Sequence, residues 1–305
     1  MVNRRVGRAC LASLVRRVFL VPGLLLVFVA TGNGLAAAAD DTVADTARRI
    51  VALSPHAVEL LFSIGAGNAI VGTVAYADFP AEAKQIPRIG SYHGVQIEQV
   101  VALKPDLIVA WQGGNKAADL SKLRSLGFRL FYSQPQNIPQ IARDLTALGE
   151  LTGNQVQASV QSKRLLDRYY KIKAQYQNKR PVKVFYQLWH DPLRTVGSGA
   201  WLNSLIGDCR GDNVFADADG DYPLVSIEAV LGKNPEVIMV PNNPADVAAK
   251  TAIWKNWDEV DAVRRDNIFT INGDLLHRFS PRALRGLELL CESIDRVRKP
   301  ESGSR

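Results

Sequence analysis

The chain has 305 residues, 47% of them hydrophobic and 22% charged, a globular balance that excludes a disordered or low-complexity protein. Its formal charge of +7 invites a nucleic-acid reading, but five of its 37 basic residues (Arg4, Arg5, Arg8, Arg16 and Arg17) fall in the first 39 positions, which hold no acid. The other 32 basic side chains face 30 acidic ones, an excess too small for a counterion-release footprint, and nucleic acid is excluded as a partner.

Residues 1–39 carry the three parts of a secretory signal: an Arg-rich start, an apolar run over 18–30, and the small-residue stretch Ala36-Ala37-Ala38-Ala39 before Asp40. That run is shorter than the ~20 residues a spanning helix needs, and Pro22 and Gly23 interrupt it. Cys10 precedes it and cannot become a lipidated N-terminal Cys after cleavage. The Arg16-Arg17 pair resembles a twin-arginine export signal, and the general secretory route fits the same segment. Either route places the mature chain outside the cytoplasm. Two cysteines remain there, Cys209 and Cys291, 82 residues apart. That spacing does not suit a local metal clip; it fits one staple closing a long loop or two buried thiols, and an oxidising compartment favours the staple.

The mature chain alternates short apolar runs with helical patterns. Strand 48–53 ends at Ser54-Pro55, and a helix over 57–64 closes at Gly65. Strand 69–74, a turn-rich loop over 76–89, helix 97–103, strand 106–110, helix 116–126, strand 128–132 and helix 138–151 follow. The pattern is that of an α/β layer with a largely parallel sheet. Residues 154–179 contain no Gly or Pro and predict one helix ~37 Å long, with an apolar stripe of Val156, Val160, Leu165, Leu166, Tyr169, Ile172 and Tyr176. A strand at 182–186 then restarts the alternation.

An internal repeat predicts two equivalent lobes. IEQVVALKPDLIVA (97–110) and IEAVLGKNPEVIMV (227–240) lie 130 residues apart and share five of fourteen positions, among them Glu98 and Glu228 in the first turn of each helix. An acid there also suits the helix dipole.

Catalytic signatures are missing. Gly65-Ala66-Gly67 follows a helix rather than a strand, and no G-x-S-x-G, HExxH, CxxC or P-loop pattern occurs. His56, His93, His190 and His277 have no ligand spacing, and neither Ser54 nor Asp274 forms a visible nucleophile–base pair with a His. Asp217, Asp219, Asp221 and Glu228 partly imitate a calcium loop, but the Gly sits at its fourth position and no entering helix precedes it, so a solvated acidic turn is expected. Tyr76, Tyr92, Trp111, Trp189, Trp201 and Tyr222 fall near strand ends, where an open α/β layer forms its ligand crevice. The run 274–282 gathers Asp274, His277, Arg278 and Arg282 at a strand-to-helix junction, with Ser280 read as a helix cap.

IVALSPHAVELLFSIG (50–65), YADFP (76–80), VVALKPDLIVAWQGGN (100–115), CRGDNVF (209–215) and DLLHRFSPR (274–282) carry a specific resemblance. Over nearly all of 48–299 the chain is similar to the periplasmic cobalamin-binding proteins of bacterial ABC importers, the substrate-binding class whose lobes share one helix. The resemblance implies an α/β fold of two Rossmann-like lobes joined by a single long helix, with the ligand cleft between them. The implied divisions are a signal at 1–39, a first lobe at 40–153, an inter-lobe helix at 154–180, a second lobe at 181–299 and a disordered tail at 300–305. It further implies a monomeric carrier rather than an enzyme, with no cofactor and with cobalamin as its transported ligand. Tyr76, Tyr92, Trp111 and Tyr222 would line the corrin cleft, although Tyr92 and Tyr222 stand where other members carry Trp. Asp274 and Arg278 would bond the corrin's amide rim, and Cys209–Cys291 would be the disulfide of the second lobe. Glu98 and Glu228 would dock on arginines of a homodimeric permease, one acid per lobe for two identical subunits. Haem or a ferric siderophore is the alternative ligand in the same class. Haem would want Tyr76, Tyr92, His56 or His93 on its iron, whereas a siderophore would want more arginines than Arg278 and Arg282.

Overall fold

The computed structural model describes residues 46–242 and 247–298, so the expected signal and tail lie outside the described residues. The first lobe runs β1 (Ile50–Ala52), α1 (Pro55–Ser63), β2 (Ile70–Thr73), the hairpin β3 (Gly90–Ser91) and β4 (Gly94–Val95), α2 (Ile97–Leu103), β5 (Leu107–Trp111), α3 (Ala117–Ser125), β6 (Leu130–Ser133) and α4 (Ile138–Thr152). The long helix α5 (Gln155–Tyr176) leads into the second lobe. There follow β7 (Val182–Tyr186), the hairpin β8 (Trp189–His190) and β9 (Leu193–Arg194), α6 (Trp201–Asp208), β10 (Gly211–Asn213) and α7 (Ile227–Lys233). Next come β11 (Val237–Asn242), α8 (Val247–Ala252), α9 (Asp261–Arg264), β12 (Ile268–Asn272), α10 (Gly273–Leu276) and α11 (Ala283–Arg298).

Each lobe holds one four-stranded, wholly parallel sheet, ordered β2-β1-β5-β6 in the first and β10-β7-β11-β12 in the second. Both orders place the lobe's second strand outermost, then its first, third and fourth. The repeat falls at the same place in each. α2 ends on Lys104 at φ 45 and α7 on Asn234 at φ 42, both left-handed, and β5 and β11 begin 130 residues apart. The two lobes are therefore alike in topology, and the fourteen-residue repeat occupies the same place in both.

β1 and β7 lie inside their sheets; β1 is buried throughout and β7 at every position but the exposed Lys183, the pattern of parallel strands covered on both sides. One apolar cluster runs from Ile50 and Val109 through Leu145, Leu165 and Tyr169 to Val184 and Leu290, so α4 and α5 join the cores of both lobes. Smaller clusters cover the other faces, around Val51, Ile108 and Leu123 in the first lobe and around Phe185, Ile238 and Trp254 in the second.

Two local expectations change. α1 starts at Pro55 rather than at 57, because Ser54 caps it by accepting from the Ala57 amide at 3.2 Å and Pro55 is already shaped for the first turn. The buried stripe of α5 is Ala158, Ser162, Leu165, Tyr169 and Ile172, whereas Val156 and Val160 face outward. Close helix approach is the reason: a Cβ added to Gly149 of α4 would lie 2.3 Å from the Cβ of Ala158. Ser162 fits the same seam and donates to the Ala142 carbonyl at 2.9 Å.

In the second lobe Cys209, just after α6, is bonded to Cys291 of α11, and both are fully buried. The acidic turn is exposed at Asp217, Asp219 and Asp221, and Asp217 pairs with Lys233 at 2.9 Å. Among the described residues no helix is long and apolar enough to cross a membrane.

Candidate ligand-binding site

In a parallel sheet whose strand order reverses, the crevice opens beyond the carboxyl ends of the strands at the reversal. Here a cavity of about 720 Å³ opens at such strand ends and is shared by the two lobes. The first lobe supplies Tyr76 and Asp78, and the second supplies Trp189, Asn242, Lys250, Asn272, Asp274, His277 and Arg278. A larger groove of about 900 Å³ lies between α5 and α11, where Lys163 pairs with Asp167 and Arg168 with Glu288, each at 2.6 Å, beside Val160, Ile172 and Tyr176.

Tyr76 follows β2 with φ 66, a left-handed conformation that costs energy for a non-glycine residue and leaves its side chain 70% exposed at the cavity. The loop after it is held down by Arg88, which donates to the Ala77, Ala83 and Ile86 carbonyls. Asp78 therefore sits at a fixed place facing the second lobe.

Arg278 meets it there. Its Nη1 donates to Asp78 Oδ1 at 2.7 Å and to Glu59 Oε1 at 3.0 Å, and its Nη2 pairs with Asp274 at 3.0 Å. Ser280 Oγ donates to Glu59 Oε2 at 2.6 Å, and Arg282 pairs with the same oxygen at 3.2 Å while its guanidinium lies on the Phe79 ring. Ser280 thus links the lobes; it also accepts from the Arg282 amide before α11 begins. Burial works against charge on Asp78, but the hydrogen bond and charge of Arg278 outweigh it and hold the carboxyl below its ordinary range. The reciprocal bonds keep the guanidinium above its own, again against burial.

The second lobe's side of the cavity is polar. Tyr186, the last residue of β7, shares a hydrogen bond of 2.8 Å with His277 Nε2. Burial, reinforced by the charge of Lys250, pushes the His277 pKa down to about 4 despite Asp274, so the ring is neutral. Burial raises that of Tyr186, and Tyr222 adds to the effect. Lys250 is itself buried, with Nζ 3.4 Å from the Pro241 carbonyl and 5.4 Å from the Trp189 ring centre.

The expected site residues separate into two sets. Tyr76, Asp274 and Arg278 line the shared cavity. Tyr92, Trp111 and Tyr222 are not among the residues lining it: Tyr92 is exposed and stacks on His93 at 3.9 Å, and Tyr222 is half exposed. Trp111, at the end of β5, meets Phe279 and His56 edge-on at 5.7 and 5.6 Å. Its ring lies over Gly114, where an added Cβ would come within 2.0 Å, and Asn115 ties the turn back to Trp111 and Leu53. Those contacts account for Gly114 and Asn115 of the motif. Of the other aromatics, Trp189 lines the cavity, and Trp201 is buried with its indole N–H on the Leu276 carbonyl.

His56 is buried, its Nε2 lying 3.4 Å from Ser54 Oγ and 3.2 Å from Ser133 Oγ, and Ser133 donates to Asp144 at 2.6 Å. Ser133 donates to Asp144 and so accepts from His56, which fixes the proton on Nε2. Burial pushes the His56 pKa down to about 3 and that of Asp144 up to about 6. His56 is therefore not presented to a metal in the cleft. Ser54 is 1% exposed, and its hydroxyl oxygen accepts from the Ala57 amide as the cap of α1.

Sequence reasoning found His277 in the 274–282 run but missed Glu59, Asp78 and Lys250 as its neighbours. Glu59 did leave a signal, a carboxylate inside the apolar helix HAVELLF.

Comparison with known proteins agrees with this architecture. The chain is 35% identical over 254 residues to the vitamin B12-binding protein of Vibrio cholerae serotype O1, spanning 83% of this chain and 91% of that one. It is 33% identical over 261 residues to the vitamin B12-binding protein of Yersinia pestis, spanning 86% and 91%. The crystal structure of the periplasmic vitamin B12 binding protein BtuF of Vibrio cholerae superposes with a TM-score of 0.79 at 35% identity, over 83% of this chain and 99% of that one. The periplasmic heme-binding protein RhuT from Roseiflexus, at 20% identity and a TM-score of 0.74 over 83% and 99%, shares the fold. The family model for periplasmic binding proteins matches residues 50–275. With two lobes of like topology, one connecting helix and a shared cavity at the strand ends, the chain belongs to the periplasmic binding protein family.

Proposed function

We propose that the protein captures cobalamin between its lobes in the periplasm and delivers it to a homodimeric ABC permease of the inner membrane, making and breaking no bond. The observation that carries this reading is the shared cavity, in which aromatic Tyr76 and Trp189 stand beside the polar groups around Asp274. Aromatic faces suit the flat corrin, and Asp78, Asp274 and Asn272 suit its amide rim. The names of the relatives support the same ligand.

The mature carrier is a monomer that begins near Asp40 after export. Lobes over 40–153 and 181–299 are joined by the segment 154–180, and this rigid helix limits their relative movement to small displacements. Glu98 and Glu228 are exposed at equivalent positions of α2 and α7, which supports their role as paired contacts for two identical permease subunits. Tyr92, Trp111 and Tyr222 remain assigned to the outer walls of the cleft.

Haem is the second reading, favoured by the exposed phenol of Tyr76 at the cavity, the group a haem iron would take. Calorimetric titration of the chain from Asp40 onward, with cyanocobalamin and haem in parallel, separates the two. One-to-one corrinoid binding that weakens about tenfold in Tyr76→Ala is expected. Haem binding with an intense Soret band and no corrinoid binding overturns the cobalamin reading.

A further inference from the structure

The cavity carries its charges in an unequal arrangement. Asp78 and Asp274, one from each lobe, are 48% and 50% exposed, whereas the guanidinium between them is only 10% exposed. Both Nη atoms of Arg278 are already engaged, Nη1 by Glu59 and Asp78 and Nη2 by Asp274. The other lining cation, Lys250, is buried against the Pro241 carbonyl and the Trp189 ring. His277 is neutral. The cations are therefore turned into the protein, and carboxylate oxygens face the cavity.

We infer that Asp78 joins Asp274 as a ligand-reading carboxylate, so that this wall accepts corrinoids whose rim groups are primary amides and discriminates against rims bearing carboxylates. This rests on the cobalamin reading above and narrows it to a chemical class. A primary amide donates N–H groups that ionised carboxylates accept, and such charge-assisted bonds are stronger than neutral ones. A carboxylate at the same place donates nothing and meets two like charges with the neighbouring guanidinium already shared. The same arrangement disfavours haem, whose rim carries two propionates. Because Arg278 holds the two aspartates in register, the discriminating pair is completed only by the second lobe meeting the first.

The experiment is titration at pH 7.5 with cyanocobalamin and with its monocarboxylic acids, in which one rim propionamide is hydrolysed to a propionate. At least one monoacid should bind about tenfold or more weakly than the parent, and in Asp78→Asn that gap should close to within about threefold. Thermal melting of the variant checks that it is folded. If Asp78→Asn does not fold, Asp274→Asn is read by the same ratio. Equal binding of the parent and all monoacids by the natural chain, or an unchanged ratio in the folded variant, overturns the inference. Failure of cyanocobalamin itself to bind strikes instead at the proposed function.

Discussion

Arg278 and Glu59 are 219 residues apart in the chain, one in each lobe, and their guanidinium and carboxylate meet at 3.0 Å with side chains 10% and 2% exposed. Ser280 and Arg282 converge on the same carboxylate, so a single buried acid of α1 organises three side chains of the second lobe.

Removing that acid takes one of three carboxylate partners from the buried guanidinium of Arg278 and takes Glu59 from the half-buried Arg282. Breaking a buried pair from one side costs ~3–5 kcal/mol, more than a surface pair contributes. Glu59→Ala should lower the unfolding free energy by about 3 kcal/mol in urea denaturation. A variant within about 0.5 kcal/mol of the natural chain means that the pair does not hold the lobes together.

Acid should destabilise the fold above the range in which ordinary carboxylates titrate. His56 and His277, with pKa values pushed down to about 3 and about 4, stay neutral when folded, whereas the unfolded chain protonates both below about 6.5. Asp144 works in the opposite direction, since its pKa near 6 lets the folded chain take one proton that the unfolded chain refuses. The unfolded state therefore binds about one net proton more between pH 6 and 4.5, and stability falls toward acid by up to ~1.4 kcal/mol per pH unit. Denaturation midpoints across that range check the slope, and His277→Gln should flatten it. Asp78, held below its ordinary range, adds a further loss only as pH falls below about 4.

The seam between α4 and α5 admits no extra atom at Gly149. Gly149→Ala should destabilise by ~1–3 kcal/mol despite alanine's better helix propensity, because its Cβ meets Ala158. Gly207 in α6 has nothing within 4 Å of such a Cβ, and Gly207→Ala should stabilise by ~0.5–1 kcal/mol. Paired thermal melts read both, and equal shifts would contradict the packing account.

Glu98 and Glu228 should matter to delivery and not to capture. Reversing both to Arg is expected to cut corrinoid uptake by cells about tenfold or more while leaving calorimetric binding unchanged. Uptake at the natural rate by the double variant would remove the docking assignment.

Elements set by local chemistry were legible in the sequence. The 130-residue offset predicted equivalent lobes, and the two sheets have the same strand order. The uninterrupted polar stretch predicted α5, although its seam is read correctly only once Gly149 and Ala158 are seen to touch. Contacts between lobes were not legible, because no periodicity links Glu59 to a Ser-Pro-Arg run 221 residues later. Trp189 and Trp201 are alike in sequence context near strand ends, yet one opens on the cavity and the other is sealed under Leu276. Asp274 and Arg278 were legible as a charged cluster. Their partner Asp78 was hidden in a loop whose shape depends on the arginine that pins it.

All four strands of one sheet precede α5 and all four of the other follow it. One recombination within the codons of that helix therefore exchanges a whole wall of the cleft and leaves the opposite wall intact, so ligand range can be inherited by halves. The condition on such a chimera is narrow: an incoming second half must bring residues that satisfy Glu59, and a half without them inherits an unpartnered acid at the centre of the molecule.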